Sequence, residues 1–135
     1  MTAADNKKLM QEIFSGLAQG DRTLFLASLA EDFRWTITGT TAWSKTYNGR
    51  QAVLDDLVAP LRAKLGGPSR TVASRFIADD DIVVVEARGH NTTKAGAPYN
   101  NTYCFVYRLA GGKLVELTEY LDTELVTSAL GDPGA

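Results

Sequence analysis

The chain has 135 residues, of which 44% are hydrophobic and 22% are charged. This size and composition predict one globular domain over residues 1–135 that buries roughly two thirds of its unfolded surface. The formal net charge of -2 and the scattered basic residues argue against nucleic acid as a partner. No apolar run approaches the ~20 residues that cross a bilayer, and the N-terminus lacks the apolar core of a signal peptide. We therefore expect a cytoplasmic protein with no membrane partner.

The first part of the chain predicts two helices followed by a strand. Residues 6–18 carry apolar side chains at helical spacing, with Asp5 as the cap. Gly20 ends this helix, and a shorter helix is expected at 21–29. The alternation of apolar and polar residues at 33–38 predicts a strand.

The middle of the chain predicts a loop and a third helix. Residues 39–49 contain two aromatic side chains but show no regular period. Residues 50–65 carry valine and leucine at helical spacing, so they predict a helix that is adjusted near Pro60. The run Gly66-Gly67-Pro68 ends it.

From Ser69 onward the hydrophobic pattern has a period of two. It predicts four strands, at residues 70–79, 80–92, 99–110 and 113–123. The short connections imply antiparallel neighbours, and residues 124–130 predict a short final helix. Helices grouped ahead of strands indicate an α+β fold, with the helices on one face of a curved antiparallel sheet.

The strand around residues 81–91 has two chemically different faces, because side chains alternate across a strand. One face is small and apolar, with Val83, Val85, Ala87 and Gly89. The other face carries Ile82, Val84, Glu86, Arg88 and His90. Its aliphatic start predicts that this second face is at least half buried, and buried charge must be paired or must change its protonation state. We therefore expect either an internal polar network or the wall of a pocket.

Metal and disulfide chemistry have little support in the composition. The chain contains one cysteine, Cys104, and one histidine, His90. A lone cysteine forms no internal disulfide, and there is no Cys/His cluster for zinc. We expect no metal and no cofactor, and any bound metal would depend on carboxylates.

Four motifs resemble the SnoaL-like, ketosteroid-isomerase-related branch of the NTF2-like superfamily. They are Gly20-Asp21, the run Ala30-Glu31-Asp32-Phe33, the run Tyr47-Asn48-Gly49-Arg50, and the closing residues 111–122. The resemblance covers nearly the whole chain and implies a cone: three N-terminal helices pack on the concave face of a strongly curved, mostly antiparallel sheet. It also implies a deep apolar pocket and a homodimer through the outer face of the sheet. It does not specify an activity, since the superfamily includes isomerases, dehydratases, epoxide hydrolases, polyketide cyclases and non-catalytic domains.

Carried over by position, the resemblance places the ionisable face of strand 81–91 inside the pocket. The arginine and two acids of the limonene-epoxide-hydrolase-like members fall on Arg88, His90 and Glu119. The water-holding tyrosine and asparagine of those enzymes fall on Trp35 and Ile37, so epoxide hydrolysis is disfavoured.

Two other branches of the superfamily give different results. The base and the tyrosine of the ketosteroid isomerases fall on Ile37 and Ile13, which cannot replace them. The acid-base aspartate of the polyketide cyclases lies near Glu119, which has the same chemistry.

These observations predict a pocket with three catalytic candidates. His90 changes its protonation state near neutral pH, Glu119 orients it, and Arg88 pairs with Glu119 or Glu86. The ligand-binding candidates are Trp35, Ile37, Trp43, Val84, Glu86, Asn101, Tyr103, Phe105 and Leu117. The predicted function is cofactor-free acid-base catalysis, of isomerase, cyclase or lyase type, on a small apolar or aromatic carbonyl compound.

A non-catalytic ligand-binding or dimerisation module of the same fold is the alternative. In that case His90 is a partly exposed strand-end residue and Arg88 belongs to a structural ion pair. The loop at 39–49 either covers the pocket or packs on the helices. For the homodimer, the predicted contact face is apolar and comprises Val83, Val85, Ala87, Cys104, Val106, Thr118 and Tyr120.

Overall fold

The computed structural model describes residues 1–134, and it begins with two helices. Helix α1 (Ala3–Leu17) is followed by helix α2 (Thr23–Ser28). The prediction of Asp5 as the cap of α1 is wrong, because Thr2 caps the helix. The Thr2 hydroxyl accepts from the Asp5 backbone N–H at 3.1 Å, and the Asp5 carboxylate accepts from the Thr2 N–H at 3.0 Å. This reciprocal capping box moves the helix start to Ala3.

The sheet contains six strands in the order β2-β1-β6-β5-β4-β3. They are β1 (Leu29–Ile37), β2 (Thr46–Asn48), β3 (Thr71–Asp79), β4 (Ile82–Gly89), β5 (Thr102–Ala110) and β6 (Lys113–Leu121). Each strand runs antiparallel to its neighbours except at the β1–β6 pair, which is parallel. The sheet is curved and unclosed, which confirms the predicted α+β cone. Helix α5 (Thr123–Leu130) follows the last strand.

Residues 39–64 differ from their predicted structure in two ways. Strand β2 lies within the expected loop and pairs with β1. The expected third helix is divided into α3 (Arg50–Ala52), a π-helical segment (Val53–Val58) and α4 (Ala59–Lys64). Pro60 lies in the first turn of α4, where a missing N–H is tolerated. The wider π-helical turns come directly before this proline, in the stretch where its ring would crowd a regular helix.

Helix α1 packs on the concave face of the sheet through an aromatic cluster. The Phe14 ring lies 5.9 Å from the rings of Phe76 and Phe105 and 6.2 Å from the ring of Tyr107, measured between centroids. Two of these contacts are edge-to-face, an arrangement that aromatic quadrupoles favour. The hydrophobic core therefore lies between α1 and the strands.

Strand β4 turns its apolar face inward, so the predicted orientation of this strand is wrong. Val83, Val85 and Ala87 are buried in the core, whereas Glu86 is half-buried and Arg88 is exposed on the outer face. Burying the small apolar face removes only hydrocarbon from water. Burying the other face would have required the desolvation of two charged groups.

Candidate functional site

A cavity lies between the helices and the concave face of the sheet. Its larger chamber has a volume of about 280 Å³, and an adjoining chamber has a volume of about 100 Å³. The side chains that line both chambers are Trp35, Leu57, Leu61, Ser69, Thr71 and Phe105. A cavity of roughly 150 Å³ admits benzene. The larger chamber therefore has room for a ligand of about two rings.

Glu119 is the acidic residue of this cavity and lies in the smaller chamber. It projects from the C-terminal half of β6, where its neighbours in the sheet are Ile37 on β1 and Phe105 on β5. Only 6% of the residue is exposed. Its Oε1 atom accepts a hydrogen bond from Trp35 Nε1 at 3.0 Å, and this is the only partner of the carboxylate within residues 1–134.

The surroundings of Glu119 change its acidity. Burial raises the pKa of its carboxyl from 4.5 to about 7, and the Trp35 hydrogen bond acts more weakly in the opposite direction. The group can therefore hold or release a proton near neutral pH, which is the property that general acid-base catalysis requires.

Two tyrosine hydroxyls lie in the same chamber. Both side chains line this chamber, and Asn101 Nδ2 donates to the Tyr99 hydroxyl at 3.3 Å. Burial is the main cause that raises the pKa of both phenols, and the charge of Glu119 acts in the same direction. Both groups therefore stay protonated at neutral pH.

The phenolic protons of this chamber have no protein acceptor in the described part of the chain. Within residues 1–134 the Tyr99 hydroxyl accepts from Asn101, and neither Tyr99 nor Tyr103 donates a hydrogen bond to a protein atom. A phenolic hydroxyl is thus available to donate to an oxygen atom of a ligand.

Six of the predicted site residues line the cavity. They are Trp35, Ile37, Trp43, Tyr103, Phe105 and Glu119. Leu117 belongs instead to the core. Asn101 is fully buried and is committed to protein partners, since its Oδ1 accepts from the backbone N–H of Thr102 and of Asp122. Its Nδ2 donates to the Tyr99 hydroxyl and to the Asp122 carbonyl.

Four predicted residues lie outside the cavity, and their inward placement is wrong. Val84, Glu86 and Arg88 are on the outer face of β4, and His90 is exposed beyond the end of that strand. The Glu86 carboxylate accepts from Arg75 Nε at 2.6 Å. The predicted pairs of Glu119 with Arg88 and with His90 are absent from residues 1–134, because the sheet separates these groups.

The loop around Trp43 packs against the C-terminal end of the chain. Trp43 Nε1 donates to the Gly131 carbonyl at 2.7 Å, and the Tyr47 hydroxyl donates to the Trp43 carbonyl at 2.9 Å. Only 2% of Trp43 is exposed. The loop therefore forms a wall of the smaller chamber that is fixed by hydrogen bonds.

Sequence reasoning missed several residues of the larger chamber. Leu57 and Leu61 come from the π-helical segment and α4, and Arg22 and Arg62 lie at its rim. In the sequence the two leucines belong to a stripe of apolar residues at helical spacing. Such a stripe is equally expected of residues that only pack in the hydrophobic core. The two arginines are 40 positions apart in the printed sequence, and no pattern connects them.

Residues 1–134 contain neither a cluster of metal-binding side chains nor a helix that could span a membrane. No three His, Cys, Asp or Glu side chains in this range are grouped so that they could hold a metal ion. Across the same residues, none of the helices has the length and apolar character needed to span a bilayer.

Comparison with known proteins identifies the family of this fold. Residues 10–117 match the SnoaL-like domain. An NTF2-like protein of unknown function from Burkholderia pseudomallei is 21% identical, with a TM-score of 0.79 over 96% of this chain and 98% of that one. A Jannaschia protein named as a SnoaL-like polyketide cyclase is 16% identical, with a TM-score of 0.76 over 96% and 94% of the two chains.

A third similar structure contains a small molecule. TerC, co-crystallised with polyporic acid, is 20% identical, with a TM-score of 0.77 over 93% of this chain and 97% of that one. No curated protein matches the sequence. At these identities the structural likeness concerns the fold alone, whereas the sequence match spans most of the chain. The chain therefore belongs to the SnoaL-like domain family.

Proposed function

We propose that this protein is a cofactor-free acid-base enzyme that acts on a small apolar or aromatic carbonyl compound. The observation that supports the proposal is Glu119, a buried carboxyl whose pKa is raised to about 7 inside an apolar cavity. Perturbed carboxyls in clefts are typical of catalytic acids and bases. The Jannaschia relative named as a cyclase and the small molecule in TerC are consistent with this class of function.

The geometry supports a proton-transfer mechanism through an enolate. Ionised Glu119 removes a proton from the carbon next to the substrate carbonyl, and the electrons move onto the carbonyl oxygen. A hydroxyl of Tyr99 or Tyr103 donates to this oxygen and stabilises its negative charge. Glu119 then returns the proton to a different atom in an isomerisation, or to the new alkoxide when the enolate carbon has attacked a second carbonyl in a cyclisation. Trp35 holds one carboxylate oxygen, so the other faces the substrate.

Deuterium exchange provides a test that needs no knowledge of the natural substrate. The probe is 2-tetralone, a two-ring ketone of suitable size, and NMR in D₂O follows loss of its α-protons. We expect Glu119→Gln to lower the enzyme-dependent exchange by about 10² or more. Tyr103→Phe should lower it less, because Tyr99 remains as a donor. The matched control is Glu12→Gln, at an exposed glutamate of α1, which should exchange at the wild-type rate.

A non-catalytic binding module is the second candidate. It is favoured by the observation that Glu119 is the one carboxylate among the described residues of the two chambers and has no histidine beside it. Binding of 2-tetralone without any enzyme-dependent exchange between pH 5 and 9 would support this candidate and contradict the catalytic one.

We also propose a homodimer through the outer face of the sheet. The face differs from the predicted one, because Val83, Val85 and Ala87 are buried within the protomer. Its exposed apolar side chains are Val72 (41% exposed), Ile77 (50%) and Tyr120 (50%). Beside them lie the half-buried residues Val84, Cys104, Val106 and Thr118. An apolar surface of this kind is favourable to cover with a second copy.

Sedimentation at micromolar concentration tests the dimer. We expect Tyr120→Glu to convert it to a monomer, since the new charge would lie in the apolar contact. Leu24→Glu is the control, because Leu24 is 40% exposed but lies on α2, away from the sheet. A wild-type monomer, or a dimer that tolerates Tyr120→Glu, would contradict the proposal.

A further inference from the structure

Two arginines lie at the rim of the larger chamber. Arg22 precedes α2 and is half-buried, and Arg62 lies in α4 and is exposed. Both line the chamber together with the exposed residues Pro68 and Ser69. Neither guanidinium takes part in an ion pair within residues 1–134, where the ion pairs involve Arg34, Arg75 and Arg108.

The two guanidinium groups are close enough to affect each other. Burial lowers the pKa of Arg22, and the positive charge of Arg62 lowers it further. Asp21 is the carboxylate nearest to Arg22 in sequence, but its Oδ1 accepts from the Thr23 backbone N–H at 2.9 Å. The like charges at the rim therefore repel each other without an acid between them.

Gly20 also lines the chamber at this rim. Its φ is +80°, a conformation that glycine adopts without strain. A methyl group built on it would lie 3.1 Å from Pro68 Cβ, which also lines the chamber. A side chain at position 20 would therefore crowd the rim.

The wall between this rim and Glu119 is apolar. Its aromatic and aliphatic residues are Phe25, Leu26, Trp35, Leu57, Val58 and Leu61. A ligand that fills both chambers thus meets positive charge at one end, hydrocarbon along its length, and the acid and tyrosines at the other end.

We propose that the natural ligand is an amphipathic acid whose carboxylate or similar oxyanion binds between Arg22 and Arg62. Guanidinium groups bind such oxyanions through paired hydrogen bonds. The apolar body of the ligand then extends inward and presents its carbonyl to Glu119. This inference rests on the proposed function, since it assigns the substrate class of the same cavity.

Two ligands of the same shape test the inference by calorimetry. They are 2-naphthoate and 2-acetylnaphthalene, which have the same two rings. The first carries a carboxylate where the second carries a methyl ketone. At pH 6 and low salt, we expect naphthoate to bind about tenfold more tightly. Arg22→Met and Arg62→Met keep the apolar stem and should each weaken naphthoate about threefold to fivefold, the range of a partly exposed ion pair. The double variant should remove the preference, and added salt should reduce it in the wild type.

Arg88→Met is the matched control, since Arg88 is an exposed arginine on the outer face of the sheet, and it should leave both affinities unchanged. If acetylnaphthalene binds as tightly as naphthoate, or if the preference survives in the double variant, the inference is overturned while the proposed function stands. If neither compound binds, the ligand-binding cavity itself is refuted and the proposed function fails with it. Melting temperatures of the variants close to that of the wild type verify that they are folded.

Discussion

The substitution Glu119→Gln should stabilise the protein while it removes the proposed catalytic group. Glutamine has nearly the shape of glutamate and keeps an oxygen that accepts from Trp35 Nε1, but it carries no charge at any pH. The comparison with the wild type therefore isolates the free energy of a charge buried in the cavity.

The magnitude and its sign follow from proton binding. Folding raises the pKa of Glu119 from 4.5 to about 7. Between these pH values the folded chain holds one proton more than the unfolded chain, so stability falls as the pH rises through this window. At ~1.36 kcal/mol per pKa unit, the wild type loses about 3 kcal/mol of unfolding free energy from this residue. Glu119→Gln avoids that loss, so the two proteins should have similar stability near pH 4, and the variant should be more stable by about 3 kcal/mol at pH 8.

Urea denaturation at pH 4, 6 and 8 measures this difference directly. The control is again Glu12→Gln, whose unfolding free energy should follow that of the wild type at each pH. A Glu119→Gln variant that gains nothing at pH 8 would refute the burial argument. A gain of the same size at pH 4 and pH 8 would show that packing, rather than charge, is responsible.

Three further substitutions test other parts of the structure. Asn101→Ala should cost about 2 kcal/mol in urea denaturation, because it leaves two partly buried backbone N–H groups without their acceptor. Arg22→Met should raise the unfolding free energy of the ligand-free protein by up to ~1 kcal/mol, since it removes the repulsion from Arg62; a loss of stability would contradict the like-charge argument. Gly39→Ala should lower it by about 1 to 3 kcal/mol, because φ is +97° and the new methyl group would lie 2.6 Å from a threonine methyl. Gly67→Ala, with nothing within 4 Å, is its control and should change stability by less than about 0.5 kcal/mol.

The strand faces show how far sequence reasoning extends into this site. Trp35, Ile37 and Glu119 were placed correctly inside the cone, because in β1 and β6 the alternation of large apolar residues decides the inner face. Strand β4 has aliphatic residues on both faces. Hydrophobicity alone therefore gives only a weak indication of which face of this strand is buried. The resemblance to epoxide hydrolases then favoured the ionisable face as the inner one. The cost of burying Arg88 favoured the small apolar face instead.

The register between β4 and β5 contains the signal that would have corrected this error. Directly opposite residues in an antiparallel pair share a face, and here Val85 is opposite Phe105 while Glu86 is opposite Cys104. Once Phe105 is placed inside, Glu86 must lie outside. The register itself was not predictable, because residues 90–101 between the strands are irregular and do not determine which residues meet.

The parallel pairing of β1 with β6 has a consequence for how the protein reaches its native state. The Trp35–Glu119 hydrogen bond joins residues 84 positions apart, whereas the β3–β4 and β5–β6 pairs are joined by short turns. Contacts between distant parts of a chain carry a larger loop-closure cost and slow folding. We expect the hairpins to form early and the acid site to assemble in the last step. In a Trp43→Phe variant, the fluorescence of Trp35 should therefore report a slow kinetic phase. The circular dichroism signal of the sheet should form mostly before this phase.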